Sequence, residues 1–376
     1  MTTNPTPPTT PEPPAPNAVT HPAAVLTGPG TFAFVQRPTL PLQPGEVRVQ
    51  VGTVGVCGSD IHMFTDGRIG TTVVSSPLVL GHEFMGVVSE AAPGTVDGDG
   101  QPLRAGDRVA VEPHVACGHC RECREGHPNL CTDHTFMGVY PRDGALQREL
   151  NVPAHNAFRL PDAISDAGGA MLEPLGVALH AVRLGHVRVG DRAAVVGAGP
   201  VGLLIVRLLA LAGVTDLHVT EPLAWRRELA ADLGATSTDA AFTAAHDSRY
   251  DVVYEAAWAD ASVQDAALLA RPGARVVLVG IPGDDRMEVQ HSLARRKGLS
   301  LIFSRRMAHT YPQAIRLVTS GQVDVDRLVS DVFPLSGVAR AFERHAAYGP
   351  GVVKVMVDLT VQDDPDAPTQ VQEVTA

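Results

Sequence analysis

The chain has 376 residues, 44% of them hydrophobic and 19% charged, with 36 glycines and 30 prolines. This length and composition predict a globular protein of two or three domains with a sizeable core. The net charge of −11 argues against nucleic acid or an anionic membrane as a partner, because such surfaces are usually met by a basic face. The longest apolar run, Ala193–Val206, has 14 residues and is interrupted by glycines and a proline, so it is too short to cross a bilayer.

Both ends of the chain are polar. Residues 1–22 are rich in Pro and Thr and contain no Lys or Arg, which predicts a disordered tail and not a signal peptide or presequence. Residues 361–376 are expected to form a second flexible tail. The cysteine count is odd, and four of the five cysteines are clustered, which indicates metal ligands in a reducing, cytoplasmic compartment and not disulfides.

Residues 23–178 predict a β-rich first domain, because short Val-rich runs alternate there with Gly and Pro. The expected strands are Glu46–Val56, Val87–Ala91, Arg108–Glu112 and Leu146–Val152. No internal repeat is apparent in the sequence.

Residues 179–320 alternate between apolar strands and helical stretches, which is the βαβ rhythm of a parallel sheet. The expected strands are Ala193–Val196, Leu217–Thr220, Asp251–Glu255, Arg275–Gly280 and Ser300–Phe303. The expected helices are Val201–Ala212, Trp225–Leu233, Ser262–Leu269 and Tyr311–Ser320. Residues 321–360 are expected to return to the first domain, with a helix over Val338–His345 between two short strands, Val332–Pro334 and Val352–Val357.

A glycine motif follows the first strand of this alternating region. The pattern G-x-G-x-x-G falls on Gly197, Gly199 and Gly202, with Pro200 and Val201 opening the next helix. The first glycine permits a tight turn, the second a close approach of the backbone to a pyrophosphate, and the third close packing of helix on strand. We therefore predict a dinucleotide-binding loop at these five residues.

The acidic residue Glu221 ends the next predicted strand. A carboxylate there accepts a hydrogen bond from the ribose 2′-OH and repels a 2′-phosphate, which favours NAD over NADP. Arg226 and Arg227 follow within one helical turn, and an arginine there could instead hold a 2′-phosphate or lie on the helix surface. We assign Glu221 and Arg226 to the cofactor site.

Four cysteines form a C-x2-C-x2-C-x7-C pattern within a lobe over residues 114–134. They are Cys117, Cys120, Cys123 and Cys131. Four thiolates can close a tetrahedral shell, as structural zinc requires. An iron–sulfur cluster is the competing use of four cysteines.

A second set of possible ligands combines Cys57 with His82 and Glu83. Cysteine, histidine and carboxylate together suit a catalytic zinc that keeps a fourth position open. Taken singly, a buried cysteine is usually only a small apolar side chain, so the prediction rests on the combination.

Five motifs together carry a resemblance to a known family. They are Cys57–His62, Gly81–Glu83, the four-cysteine lobe, Glu173–Val177 and Gly197–Gly202. From about residue 23 to 359 the chain resembles the zinc-containing medium-chain dehydrogenase/reductases, most closely the sorbitol dehydrogenase branch. The resemblance implies an α/β fold, with a GroES-like β-rich catalytic domain beside a Rossmann domain built on a doubly wound parallel sheet. It also implies a homodimer or homotetramer.

The resemblance also assigns roles. It implies Cys57, His82 and Glu83 as catalytic zinc ligands, Ser59 and His62 as a proton relay, and Phe136, Glu173 and Arg306 as lining for the substrate. Glu173 marks the polyol branch, because ethanol-type enzymes carry a third zinc cysteine at that position, and it either ligates the zinc or holds its water. Met63 and Met307 stand where polyol enzymes carry tyrosines.

These features predict reversible hydride transfer from a secondary alcohol of a polyol to NAD+, with two zinc ions per chain. One alternative is the same chemistry on L-threonine, a formaldehyde adduct or an aryl alcohol. Another is a non-catalytic protein that joins a zinc ribbon to a nucleotide-sensing domain. Metal stoichiometry separates the enzyme from the ribbon, and a substrate panel separates the alcohols.

Overall fold

The computed structural model describes residues 19–257, 259, 261–282 and 285–361. Most of the tail predicted over 1–22, up to residue 18, and the tail predicted at the C-terminus, from residue 362, lie outside the described residues. No helix within the described ranges combines the length and the apolar character that a membrane crossing requires.

Strands and helices follow one another along the chain. The strands are β1 (Thr20–Gly28), β2 (Thr31–Pro38), β3 (Glu46–Gly55), β4 (Arg68–Ile69), β5 (Thr72–Val73), β6 (Glu83–Ala91), β7 (Arg108–Val111), β8 (His114–Ala116), β9 (His134–Phe136), β10 (Glu149–Pro153), β11 (Ala157–Arg159), β12 (Ala193–Val196), β13 (Leu217–Thr220), β14 (Ser237–Asp239), β15 (Tyr250–Glu255), β16 (Ala270–Leu278), β17 (Ser300–Phe303), β18 (Val329–Pro334) and β19 (Lys354–Asp358). The helices are α1 (Gly58–Asp66), α2 (Arg121–Arg124), α3 (Asp166–Ala170), α4 (Leu172–Gly185), α5 (Pro200–Leu211), α6 (Ala224–Asp232), α7 (Ser262–Leu269), α8 (His291–Lys297), α9 (Tyr311–Thr319) and α10 (Val338–Ala346).

The first sheet is built around β3 and has the order β11-β7-β6-β3-β19-β18, with β10 also paired to β3. Valine is the most frequent residue type in its core, and valines suit a pleated and buried surface. In the antiparallel pair of β3 and β6, Gly55 lies opposite Glu83. This register places Cys57, which follows β3, next to His82, which precedes β6. The two halves of the predicted zinc set therefore meet because of strand pairing.

The second sheet is parallel throughout and has the order β14-β13-β12-β15-β16-β17. Its central strand β12 is buried along its whole length, as expected of a sheet covered on both faces. The glycine loop follows β12 and leads into α5, and Glu221 follows the neighbouring strand β13. The cofactor residues therefore lie together at the carboxyl ends of adjacent strands, which is where ligands bind in open α/β sheets.

Several features of the fold differ from the sequence expectations, and among them are that strand β16 begins five residues earlier than predicted and that β14 and α8 were not predicted. Strand β6 begins four residues earlier than predicted, at Glu83. Helix α1 and the hairpin of β1 and β2 were not predicted. Helix α4 runs across residue 178, the predicted end of the first domain. The limits of the domains stay predictions. The residues of α4 are buried on most sides, so the sequence lacks the apolar stripe that marks a surface helix.

Candidate active site

Cys57, His82 and Glu83 come together at the junction of β3, α1 and β6. Their sulfur, nitrogen and oxygen donor atoms all lie within 4.8 Å of one another. Cys57 is half-buried at the N-cap of α1, whereas His82 and Glu83 are buried. The donor types and spacing fit a zinc ion with three protein ligands and room for a fourth, and the chain needs no rearrangement to bring these residues together.

Asp60 holds two of these residues in place. Its side chain is fully buried, and one carboxylate oxygen accepts a hydrogen bond from the Cys57 backbone N–H at 3.0 Å. The other oxygen lies 3.2 Å from Nδ1 of His82, which leaves Nε2 to face the donor set. Sequence analysis did not assign this role to Asp60. Its position three residues after Cys57, in the first turn of α1, was the available signal.

The surroundings of His82 shift the pKa of its imidazole strongly. Burial alone would lower the pKa of His82, but the Asp60 carboxylate and the Cys57 sulfur outweigh burial and raise it well above its ordinary value. Neighbouring groups that favour the protonated imidazole also favour a metal cation at this point. The donor set therefore has the electrostatics of a cation site.

Glu83 makes a buried ion pair that the sequence did not predict. Nζ of Lys354, in β19, donates to both carboxylate oxygens of Glu83, at 2.7 and 2.9 Å, and to the carbonyl of Val56 at 3.0 Å. Both charged side chains are almost completely inaccessible to solvent. The partners are 271 positions apart in the chain, and no local pattern links them.

Glu173 lies in the first turn of α4 and is buried. It is outside the group whose donor atoms approach within 4.8 Å, among the residues that the structure describes. Burial raises the pKa of Glu173 to about 8, the nearby carboxylates of Glu83 and Glu112 add to this rise, and His82 and Lys354 oppose it. Of the two acids that the sequence left open as the third ligand, the geometry favours Glu83.

The two relay residues predicted on α1 have different surroundings. Ser59 is half-buried, and its Oγ lies 3.5 Å from Nε2 of His82. His62 is buried, and its Nδ1 lies 3.0 Å from a carboxylate oxygen of Asp66, one helical turn further on. Ser59 is therefore next to the donor set, and His62 connects towards the exposed end of α1.

Phe136 and Arg306 line the same region. The Phe136 ring lies 5.5 Å from the His82 ring, measured between centroids, and the Arg306 guanidinium lies 4.4 Å from the Phe136 centroid. Burial lowers the pKa of Arg306 to about 10, Arg305 adds to this effect, and Glu173 opposes it. Nη1 of Arg306 is buried and has no hydrogen-bond partner within the described part of the chain. By contrast, the two methionines that replace family tyrosines, Met63 and Met307, are buried in the core.

The four-cysteine lobe forms a compact sulfur cluster. The donor sulfurs of Cys117, Cys120, Cys123 and Cys131 all lie within 4.8 Å of one another, and the cysteines are not disulfide-bonded. The Cys120 and Cys131 sulfurs are 3.8 Å apart, close to the separation of about 3.8 Å between sulfurs bound tetrahedrally at 2.3 Å from zinc. The backbone N–H of Cys117 donates to the Cys131 sulfur and that of Cys120 donates to the Cys117 sulfur, each at 3.3 Å.

The glycine loop has the shape that a pyrophosphate needs. Gly197 has a φ of 95°, in the left-handed region. A Cβ added to Gly202 would lie 2.0 Å from the Gly197 carbonyl oxygen, whereas one added to Gly199 would meet open space beside the N-terminus of α5. Pro200 and Val201 form the first turn of α5, whose N–H groups face that space.

The two charged residues predicted to select the cofactor are both buried. The carboxylate of Glu221 accepts backbone N–H groups from Ala198, at 2.8 Å, and Leu223, at 3.0 Å, so it braces the glycine loop. Arg226 donates to the carbonyl of Val352 at 3.0 Å and packs on the rings of Trp225 and Tyr348. In this arrangement Arg226 joins α6 to the C-terminal part of the chain.

Two family models match the chain. The model described as "Alcohol dehydrogenase GroES-like domain" matches residues 43–162, and the one described as "Zinc-binding dehydrogenase" matches residues 200–320. Sorbitol dehydrogenase of Bacillus subtilis (strain 168) is 34% identical over 344 residues, which cover 89% of this chain and 96% of that protein. The chain belongs to the zinc-binding dehydrogenases.

Further relatives of this dehydrogenase agree in length and fold. A probable D-xylulose reductase A of Arthroderma otae is 35% identical over 343 residues, covering 87% of this chain and 94% of that protein. The crystal structure of an alcohol dehydrogenase from Escherichia coli CFT073, complexed with NADH, has a TM-score of 0.81 and 31% identity and covers 90% of this chain and 99% of its own. The predicted family, fold class and enzyme class are confirmed. The non-catalytic ribbon is therefore excluded.

Proposed function

We propose that this dehydrogenase oxidises a secondary alcohol of a polyol, of the sorbitol, xylitol or iditol type, to the ketose with NAD+. The observation that carries the proposal is the position of Glu173, a buried carboxyl group close enough to His82 and Glu83 to interact electrostatically with both. The relatives named for sorbitol and xylulose support the same substrate class.

Three residues would hold the catalytic metal. Cys57, His82 and Glu83 provide sulfur, nitrogen and oxygen donors within 4.8 Å of one another. Glu173, outside that group, would orient the water or substrate oxygen at the open position. When bound, zinc supplies a Lewis acid that lowers the pKa of the alcohol, and NAD+ supplies the hydride acceptor.

A chain of polar groups would carry the alcohol proton outward. Ser59, whose Oγ lies 3.5 Å from Nε2 of His82, would accept the proton of the substrate hydroxyl and pass its own proton on to His62, three residues further along α1. His62 then transfers a proton towards Asp66, whose side chain is 51% exposed. The relay moves one proton to solvent for each alcohol that is oxidised.

Phe136 and Arg306 would position the rest of the substrate. The Phe136 ring lies against His82 and forms an apolar wall. The Nη1 of Arg306, which is buried, can donate to a hydroxyl of a polyol chain. Met63 and Met307 stand where related enzymes carry tyrosines and are buried in the core, so they provide no phenol hydroxyl to this wall.

Cofactor choice would depend on Glu221. Gly197, Gly199 and Gly202, with Pro200 and Val201, would receive the pyrophosphate, and the Glu221 carboxylate would accept the ribose 2′-OH and repel a 2′-phosphate. Its remaining lone pairs are available, because each oxygen accepts one backbone N–H. The packing of Arg226 against Val352 favours a role in shaping the cofactor pocket over one in holding a 2′-phosphate.

A homodimer or homotetramer in the cytoplasm completes the proposal. Strand β17 ends the order of the second sheet, so one of its edges is open to pairing with a second copy. Near this edge Phe303 is 67% exposed and Ile281 50% exposed. The cytoplasmic assignment rests on the free cysteines of the lobe, because cysteines stay unpaired as thiols in a reducing compartment.

A substrate panel tests the proposal. NAD+ reduction is measured with sorbitol, xylitol, L-threonine and benzyl alcohol, using protein that contains two zinc ions per chain. We expect the highest kcat/KM with a polyol. If kcat/KM were higher with L-threonine or benzyl alcohol than with either polyol, the polyol proposal would be wrong and that compound would represent the substrate class.

A variant at Glu173 tests the residue that carries the proposal. Glu173→Gln keeps the shape and removes the ionisable carboxyl group, so we expect kcat/KM for the best polyol to fall about 10–100-fold, with NADH affinity unchanged. Glu343→Gln, at an exposed position of α10, is the matched control and should retain full activity. Unchanged turnover in Glu173→Gln would contradict the role given to this residue.

A further inference from the structure

A cluster of two histidines and a carboxylate lies in the second sheet, away from both zinc sets. His218 is in β13, Asp239 ends β14, and His246 ends the 3-10 turn Ala244–His246 that crosses from β14 to β15. Their donor atoms all lie within 4.8 Å of one another. Nε2 of His246 is 3.4 Å, and Nε2 of His218 is 4.0 Å, from the same oxygen of Asp239.

His218 presents an unsatisfied nitrogen to this cluster. Its side chain is fully buried, and its Nε2 has no hydrogen-bond partner among the residues that the structure describes. Its other nitrogen, Nδ1, lies 3.0 Å from Oγ of Ser237. Buried polar atoms usually have a partner, so an unpartnered nitrogen 4.0 Å from a carboxylate oxygen and beside a second imidazole indicates a missing ligand.

The surrounding groups have the arrangement of a metal site's outer shell. Nδ1 of His246 lies 2.5 Å from the Tyr250 hydroxyl, and Thr243 donates to Asp239 at 3.2 Å. With the Nδ1 atoms of both histidines next to hydroxyl oxygens, the Nε2 atoms are left to coordinate an ion.

One adjustment is required for coordination. The two imidazoles are stacked, with centroids 3.8 Å apart and planes at 17°, so their in-plane lone pairs run side by side and do not converge. His246 can turn about its Cβ–Cγ bond, because it belongs to a short surface turn and its side chain is 14% exposed. This turn would lengthen or break the contact between its Nδ1 and the Tyr250 hydroxyl. Asp239 is 34% exposed, which provides a path for an ion.

We propose that His218, Asp239 and His246 form a third metal site, which binds a divalent first-row transition ion separately from the two zinc sites. Two imidazole nitrogens and one carboxylate oxygen suit zinc, cobalt or nickel and leave positions for water. The site would join β13, β14 and the crossover. It would also brace the cofactor region, because the backbone carbonyl of Asp239 accepts the N–H of Glu221 at 3.0 Å.

Cobalt binding to the two-zinc protein tests this proposal. Co2+ is titrated into the full chain, binding is measured by calorimetry and visible absorption, and released zinc is quantified to detect exchange. His246→Phe keeps an aromatic ring on His218 but removes the ligand, and Asp239→Asn removes the charge. His291→Gln, at an exposed position of α8, is the matched control.

We expect the unmodified protein and His291→Gln to bind one further Co2+ per chain without releasing zinc, and to melt at a higher temperature with it. His246→Phe and Asp239→Asn should each weaken this binding at least about tenfold. The proposal is wrong if the unmodified protein takes up no further ion, or if it takes up cobalt only in exchange for zinc. It is equally wrong if both ligand variants bind the additional ion as tightly as the control.

Discussion

Asp60→Asn tests whether the buried acid of α1 positions the catalytic ligands. Asp60 faces two donors, the Cys57 backbone N–H and, with zinc on Nε2, the Nδ1–H of His82. Asparagine has nearly the same shape but only one acceptor oxygen, so its NH2 group must face one of these donors. A buried donor left without an acceptor costs about 1–3 kcal/mol, which is a factor of about 5 to 150 in a binding constant.

We therefore expect Asp60→Asn to lower zinc affinity and kcat/KM by about 10–100-fold. Zinc affinity is measured by competition with a chelator, and kcat/KM with the best polyol of the panel. Asp162→Asn removes the same charge from an exposed position and should leave both quantities unchanged. If zinc affinity and kcat/KM of Asp60→Asn stayed within about twofold of the unmodified protein, Asp60 would not position His82 and Cys57.

Three further predictions concern the lobe, the buried ion pair and the cofactor acid. Cys117→Ser should reduce bound zinc from about two to about one per chain and lower the melting temperature, because structural zinc contributes folding free energy; an unchanged melting temperature would contradict the structural role. In zinc-free protein, Lys354→Met leaves Glu83 as an unpaired buried charge and should lower the free energy of unfolding by about 3–5 kcal/mol, measured with denaturant. Arg327→Met, which breaks a partly exposed ion pair with Asp232, should lower the free energy of unfolding by about 1 kcal/mol or less. Equal losses in the two variants would contradict the larger contribution expected of the buried pair. Glu221→Ser should raise the KM for NAD+ and increase the ratio of NADP+ to NAD+ activity, measured by steady-state kinetics. If this ratio were the same in the variant and the unmodified protein, Glu221 would not repel the 2′-phosphate.

The sequence alone was sufficient for the features that depend on short spacing. The four cysteines of the lobe fall within one short segment, so their spacing brings their sulfurs together through a few turns. The glycine loop was predictable for the same reason, because a tight turn and a helix N-terminus involve neighbouring residues. The two domain types followed from the change between Val-rich strands and the alternation of strands and helices.

Only the tertiary structure decided which distant side chains meet. The pairing of Gly55 with Glu83 brings Cys57 to His82, and the return of β19 to β3 brings Lys354 to Glu83. The pairing of β3 with β6 also sets Asp60 against His82, and a separate contact between α6 and the segment before β19 joins Arg226 to Val352. Side-chain alternation and propensity describe each strand separately, whereas strand register and the closure of a sheet are set by the packing of the whole core. That is why the candidate ligands could be named from the sequence, but the groups that hold and charge-balance them could not.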